Sequence, residues 1–182
     1  MATINHPVES AYFGGGCFWC TEAVFSRLKG VIGVNPGYAG GTTQNPTYDQ
    51  VCTNSTGHAE AVKIDFNPHQ LKYDQLLAVF FSTHDPTTFN QQGADVGSQY
   101  RSIIFYANPI QKQTALDMIR KLEKEKVYTQ PIVTQLAPLT IFYPAEPYHV
   151  DYYAKHSQDP YCQIVINPKL KKLKHSYAAL LK

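Results

Sequence analysis

Apolar and polar residues recur along this chain in two periods, and the switches between them mark the elements. Ala11-Tyr12-Phe13 reads as a short strand that runs into Gly14-Gly15-Gly16. From there Cys17, Cys20, Thr21, Val24, Phe25 and Leu28 fall at three- and four-residue spacing, which predicts an amphipathic helix ended by Gly30. Residues 31–38 read as a strand, and 37–48 as a loop rich in Gly, Asn and Pro. Residues 58–66 form a strand that stops at Asn67-Pro68, since the residue before a proline leaves regular structure. Tyr73, Leu76, Leu77 and Phe80 give a second helical face. Residues 84–98 have no period, and a loop of that length suggests function rather than connection. A strand over 101–107 follows, and Asn108-Pro109 then caps and opens a helix whose face is Ile110, Ala115, Ile119 and Leu122. Residues 132–136 suggest another strand and 148–156 a short helix. The order β-α-β-β-α-β-α-β predicts an α+β fold: a two-layer sandwich with helices on one mainly antiparallel sheet and a split βαβ (ferredoxin-like) core.

At 182 residues the chain suits a single domain, with a core over about 10–162 and a basic tail over 163–182. The formal charge of +2 demands neither nucleic acid nor a membrane surface, and the lysines of 169–174 read as a solvated tail face. Residues 1–10 have no charged and apolar leader pattern, and no stretch approaches the ~18 apolar residues of a membrane span. A cytoplasmic monomer is the expectation. In that compartment four cysteines are reduced, catalytic or metal-binding rather than structural disulfides. Thirteen tyrosines supply hydroxyl donors on apolar rings, which suits a pocket for a small polar ligand.

Cys17 is the sharpest candidate. It follows three glycines and opens a helix, so unpaired backbone N–H groups and the positive end of the helix dipole are expected to favour its thiolate. Phe18 and Trp19 fall off the apolar helix face, so two aromatics beside that thiolate are expected to line a pocket for a small apolar group. In the strand over 58–66, Glu60 shares a face with Val62, Ile64 and Phe66, while Lys63 and Asp65 take the other. A carboxyl on an apolar face is expected to stay protonated and act as an acid; the structural alternative pairs it with a cation such as Arg101. Cys17 and Cys20 make a C-x-x-C, which redox and zinc sites both use, but Cys52 and Cys162 are isolated and no second pair completes a zinc site. No metal or cofactor is expected. A thiol hydrolase with His149 as base remains a further reading.

Several separate blocks then match one family. Gly16-Cys17-Phe18-Trp19, Gly37-Tyr38-Ala39-Gly40-Gly41 with Asn45-Pro46-Thr47-Tyr48, and Gly57-His58-Ala59-Glu60 resemble peptide methionine sulfoxide reductase of the A type. So do His84-Asp85-Pro86-Thr87, Gly93 through Asp95, Gly97 with Gln99-Tyr100-Arg101-Ser102, and Ala145-Glu146 with Tyr148-His149. The resemblance implies reduction of the S epimer of methionine sulfoxide, free or in peptides. It implies Cys17 as nucleophile, Glu60 as acid, Tyr48 and Tyr100 as donors to the sulfoxide oxygen, Phe18 and Trp19 around the methyl group, and Asp95 in the pocket. The Cys17 sulfenic acid so formed is resolved by a second thiol, and thioredoxin or another dithiol protein reduces the resulting disulfide. Cys162, which follows a tyrosine, is the first choice of resolving thiol, Cys20 its rival and Cys52 third. The chain departs from longer members in a lysine-rich tail without a further cysteine, and in Val150 where a glutamine is expected after Tyr-His. A thiol–disulfide oxidoreductase built on Cys17 and Cys20 is the alternative reading.

Overall fold

The computed structural model describes residues 7–182; the first six, and with them most of the segment read for a leader, lie outside it. In chain order the elements are β1 (Glu9–Gly15), α1 (Phe18–Phe25), β2 (Val31–Ala39), α2 (Tyr48–Cys52), β3 (Ala59–Phe66) and α3 (Tyr73–Thr83). Then come β4 (Gln91–Gln92), β5 (Asp95–Val96), β6 (Ser102–Tyr106), α4 (Pro109–Lys124), β7 (Gln135–Pro138), β8 (Phe142–Pro144), α5 (Tyr152–Lys155) and α6 (Asn167–Tyr177). Six strands form one sheet in the order β7-β6-β1-β3-β2-β8. Every pairing is antiparallel except that of β7, which runs parallel to β6 at one edge. The chain is thus α+β, with its helices against a mainly antiparallel sheet.

The two-residue alternation in the strands decides what each face buries. Phe13, Val62, Ile64, Phe66 and Ile104 point to the helices and pack with Phe25, Leu76, Leu77 and Phe80. Each such fully buried side chain contributes about 1.5–3 kcal/mol. The other face is a smaller cluster of Ala39, Ala59, Ala61, Ile103 and Phe105, covered by Tyr12, Leu139 and Phe142. Glu60 lies on the helix-side face, so β3 carries a carboxyl into the space beneath the start of α1. At α4 the expected cap is present: the Asn108 side chain accepts from the Gln111 N–H at 2.9 Å, with Pro109 in the first turn.

The tail is a helix. One π-turn over Cys162–Ile166 leads into α6, which buries Leu173 in the main core and leaves Lys171, Lys172 and Lys174 exposed. Its end is tied down by Tyr177 Oη donating to the Ala78 carbonyl at 3.1 Å and by the Lys182 N–H donating to the Arg27 carbonyl at 2.9 Å. Other differences from the pattern are local. The aperiodic stretch over 84–98 contains the small β4–β5 hairpin, whose two-residue strands are too short to show a period. The strand expected over 132–136 lies at Gln135–Pro138, and β8 escapes notice because it has three residues. The helix expected over 148–156 is broken into a 3₁₀ turn, Pro147–His149, and α5, with Asp151 left-handed at φ 55° between them.

Candidate active site

The site begins where β1 turns into α1. Gly16 takes φ +88°, and a Cβ there would lie 2.5 Å from Gln92 Cγ, so glycine alone fits this turn. The turn delivers Cys17 to the N-cap of α1, where its carbonyl accepts from the Cys20 N–H at 3.1 Å. Its side chain makes no capping bond. The first free helix N–H, that of Phe18, donates instead to Glu60 Oε2 at 3.0 Å. Glu60 is 1% exposed, and burial pushes its carboxyl up to about 8, against the lowering effect of the Phe18 bond. It is therefore a protonated acid near neutral pH, next to Cys17. Arg101 is not its partner: that guanidinium donates to the carbonyls of Ser98 and Gly57 and to Gln135 Oε1.

For Cys17 itself the local pattern points one way and the tertiary structure another. The helix start was expected to favour thiolate. Here burial raises the Cys17 thiol, with hydrogen bonding to Cys20 and the Glu60 charge adding to the rise. Burial is the largest cause, and Tyr152, Tyr153 and Tyr161 from the segment after Val150 pack against the Cys17 cluster; the Phe18 N–H at the helix start is engaged by Glu60.

Aromatic rings surround this point. Phe18 was expected to face away from the core, yet it is 1% exposed and belongs to the main core cluster. Its ring meets those of His149 at 4.9 Å, Tyr38 at 5.8 Å and Tyr48 at 6.4 Å. Trp19 is half-buried, with the Tyr152 ring stacked on it at 3.7 Å and 6°. The indole N–H donates to His149 Nδ1 at 3.0 Å, which leaves the His149 proton on Nε2. That Nε2 has no hydrogen-bond partner, and Glu146 Oε2 stands 3.8 Å away. With Nδ1 occupied by Trp19, His149 is not placed as the base of a thiol hydrolase.

Tyr48 and Tyr100 arrive on short helical turns, of which the first is capped. Thr47 and Gln50 form a capping box that starts α2 at Tyr48, whose N–H donates to Glu146 Oε1 at 2.8 Å. Tyr38 Oη donates to the other oxygen of Glu146 at 2.8 Å. Tyr100 ends a 3₁₀ turn begun by Gly97 at φ +148°, where a Cβ would collide with Gln99 Oε1. Burial first and the Glu60 charge second raise both phenols, so both remain hydroxyl donors. Tyr100 also feels Cys17 and Asp95, which brings these groups together with Glu60.

Three of the four cysteines share one cluster: Cys17, Cys20 and Cys162, all buried and reduced, under Tyr152 and Tyr161. Tyr161 Oη donates to Asp95 Oδ2 at 2.8 Å and lies 3.7 Å from Cys20 Sγ. Cys52 is apart, at the end of α2 beside the Tyr48 hydroxyl. Among the described residues no His, Cys, Asp or Glu group is arranged to hold a metal ion. The motif reading missed Tyr152 and Tyr161, which cover the site, and Glu22, whose buried carboxylate accepts from the Asp151 N–H at 2.9 Å and so anchors that cover. For the two tyrosines the sequence signal is the density of aromatics over 148–161 and, for Tyr161, its place just before Cys162.

The family model described as peptide methionine sulfoxide reductase matches residues 9–180. A peptide methionine sulfoxide reductase MsrA of Saccharolobus solfataricus is 56% identical over 165 residues, 91% of this chain and 92% of its own. Mxr1 of Saccharomyces cerevisiae in its reduced form superposes with a TM-score of 0.79 at 29% identity, over 89% of this chain and 92% of that one. Methionine sulfoxide reductase A of Corynebacterium diphtheriae gives 0.75 at 35% identity, over 84% and 76%. No helix among the described residues is long and apolar enough to cross a membrane.

Proposed function

The chain belongs to the peptide methionine sulfoxide reductase family, and from that premise we propose how its own residues carry out the thiol-dependent reduction of methionine sulfoxide. The Cys17 sulfur attacks the sulfoxide sulfur while Glu60 gives a proton to the oxygen. Tyr48 and Tyr100 donate hydrogen bonds to that oxygen as negative charge builds on it. The hydroxyl then passes from the methionine sulfur to the Cys17 sulfur as the S–O bond and the transient S–S bond break; methionine leaves, the Cys17 proton replaces the one Glu60 gave, and Cys17 is left as a sulfenic acid. The observation that carries this reading is the Glu60 carboxyl, buried on the Phe18 N–H and held protonated one residue from the nucleophile.

The methyl group of the S epimer is held by Phe18 and Trp19, with Asp95 at the pocket edge through Tyr161. Tyr152 stacks on the indole at 3.7 Å, so the sulfoxide displaces it on entry. Cys162, in the same cluster as Cys17, supplies a resolving thiol, and a dithiol protein of the thioredoxin type reduces the disulfide. Four unpaired thiols suit a reducing compartment such as the cytoplasm.

The test is turnover of S- and R-sulfoxide peptides with a dithiol reductant by the wild type, Cys17→Ser and Cys17→Ala. Methionine from the S epimer alone, lost in both variants, is expected. Equal use of the R epimer, or activity without Cys17, would overturn the assignment.

A further inference from the structure

One stripe of α6 borders a hollow in the surface. Asn167, Leu170, Lys171 and Lys174 recur at three- and four-residue spacing, so they share one side of the helix. Across from them stand Arg27, just past the end of α1, and Tyr153 of α5, around a cavity of about 290 Å³. Leu170, Leu173 and Leu181 give it an apolar floor that continues into the main core. Its walls are held in place. Tyr153 Oη donates to Asn167 Oδ1 at 2.6 Å, and Arg27 Cζ lies 4.9 Å from the centre of the Tyr153 ring. The Lys182 N–H on the Arg27 carbonyl brings Leu181 to the same place. The rim is cationic: Arg27, Lys171 and Lys174 line it and no carboxylate does. Among the described residues none of the three has an acidic partner within ion-pair distance. Three like charges at one opening repel each other, and an anion seated among them relieves that repulsion. A solvated lysine face by itself requires neither the guanidinium from α1 nor the apolar floor.

We propose that this cavity binds a small amphipathic carboxylate, with its acyl chain on the leucines and its headgroup between Arg27, Lys171 and Lys174. Arg27 Nη1 donates to the Ala23 carbonyl, which leaves the Nε–Nη2 edge of the guanidinium as a planar two-point fork for the carboxylate. The two ammonium groups complete the charge. The volume lies at the small end of the ~300–1,000 Å³ of ligand pockets, which suits one short chain and not the two chains of a membrane lipid. Cys17, Glu60 and Trp19 line no part of it, so the site is separate from the sulfoxide pocket and does not depend on the reductase reading. The two sites approach each other through α5, where Tyr153 lines the cavity and Tyr152 stacks on Trp19.

Calorimetry with monomeric octanoate tests the site, with hexanoate, octan-1-ol and octyltrimethylammonium as comparisons. Octanoate is expected to bind saturably at one site, about fourfold tighter for each methylene it has beyond hexanoate. Octan-1-ol is expected to bind about tenfold or more weakly, because hydrogen bonds to charged groups are lost, and octyltrimethylammonium not at all. In proton–carbon NMR spectra the methyl signals of Leu170 and Leu181 are expected to shift as octanoate is added. Lys171→Glu combined with Lys174→Glu changes two exposed positions, so the urea midpoint should stay at the wild-type value. Octanoate affinity in that variant should fall by about tenfold or more. No saturable octanoate binding, equal binding of octan-1-ol, or unchanged affinity in the lysine double variant would overturn the proposal. Binding to phosphatidylglycerol vesicles with none of monomeric octanoate would assign the face to a membrane surface and overturn it too.

Discussion

Replacing Glu60 with glutamine separates the acid from the shape around it. The amide has the same volume, and its oxygen can still accept from the Phe18 N–H now held at 3.0 Å. The turn into α1 and the position of Cys17 should therefore survive, while the proton donor is lost. A positioned general acid is worth typically about 10²–10⁴-fold, so the single-turnover rate of methionine formation should fall by that order. In the wild type that rate should also fall as pH rises through about 8, when Glu60 ionises, and Glu60→Gln should lack this limb. Stability moves the same way. The folded carboxyl is raised from 4.5 to about 8, so the folded state holds its proton more tightly than the unfolded chain. That stabilisation is complete below pH 4.5 and is lost as pH climbs to about 8. At about 1.4 kcal/mol per unit, the loss over this window is on the order of 4–5 kcal/mol as an upper bound. Glu60→Gln does not titrate, so urea unfolding at pH 6 and pH 9 should show a smaller loss than in the wild type. Rapid-quench kinetics at pH 7 read the chemical step. Wild-type rates from Glu60→Gln in that assay, with unchanged pH dependence, would remove Glu60 from the acid role.

Other outcomes follow from the cover and the tail. Trp19 is the single tryptophan, so its emission reports the Tyr152 stack directly; an S-sulfoxide peptide added to Cys17→Ser should change it, and a silent titration with binding proven by calorimetry would mean that Tyr152 stays in place. Glu22, raised by burial to about 7, holds the Asp151 N–H; Glu22→Gln should keep the cover closed, whereas Glu22→Ala should speed amide exchange of residues 151–162, and equal exchange in both would sink the anchoring role. Leu173→Ala should cost about 2–5 kcal/mol in urea unfolding if α6 is part of the core, while a change under about 0.5 kcal/mol would make the tail an appendage.

Much of this was legible without coordinates, and for local reasons. The spacing of Val62, Ile64 and Phe66 assigned a face to Glu60, because neighbours two apart on a strand must point the same way. The same argument located α1 and α4, whose three- and four-residue spacings and Asn108 cap act within a turn or two of chain. The ordered motifs brought Cys17, Glu60, Tyr48, Tyr100 and Asp95 together on one list. Spacing says nothing, however, about what is laid over a site from a distant part of the chain. Phe18 reads as turned from the core on a helical wheel, yet it is buried because Tyr48 and His149 come from elsewhere to enclose it. The Cys17 thiol is raised rather than lowered for a similar reason. Sequence counts the dipole and free N–H groups of the first turn, but Glu60 takes the Phe18 N–H and the 151–162 segment excludes water. The placing of Cys162 beside Cys17 and Cys20 was likewise decided only by folding, in which the segment that carries it meets α1, with the Asp151 N–H on Glu22, 129 residues away in sequence. The sequence alone named the candidate groups, since their types, their local spacing and the motifs that carry the family resemblance are written in it. The tertiary structure decided what surrounds them and which way burial shifts their protonation, because burial and contact are set by the whole chain.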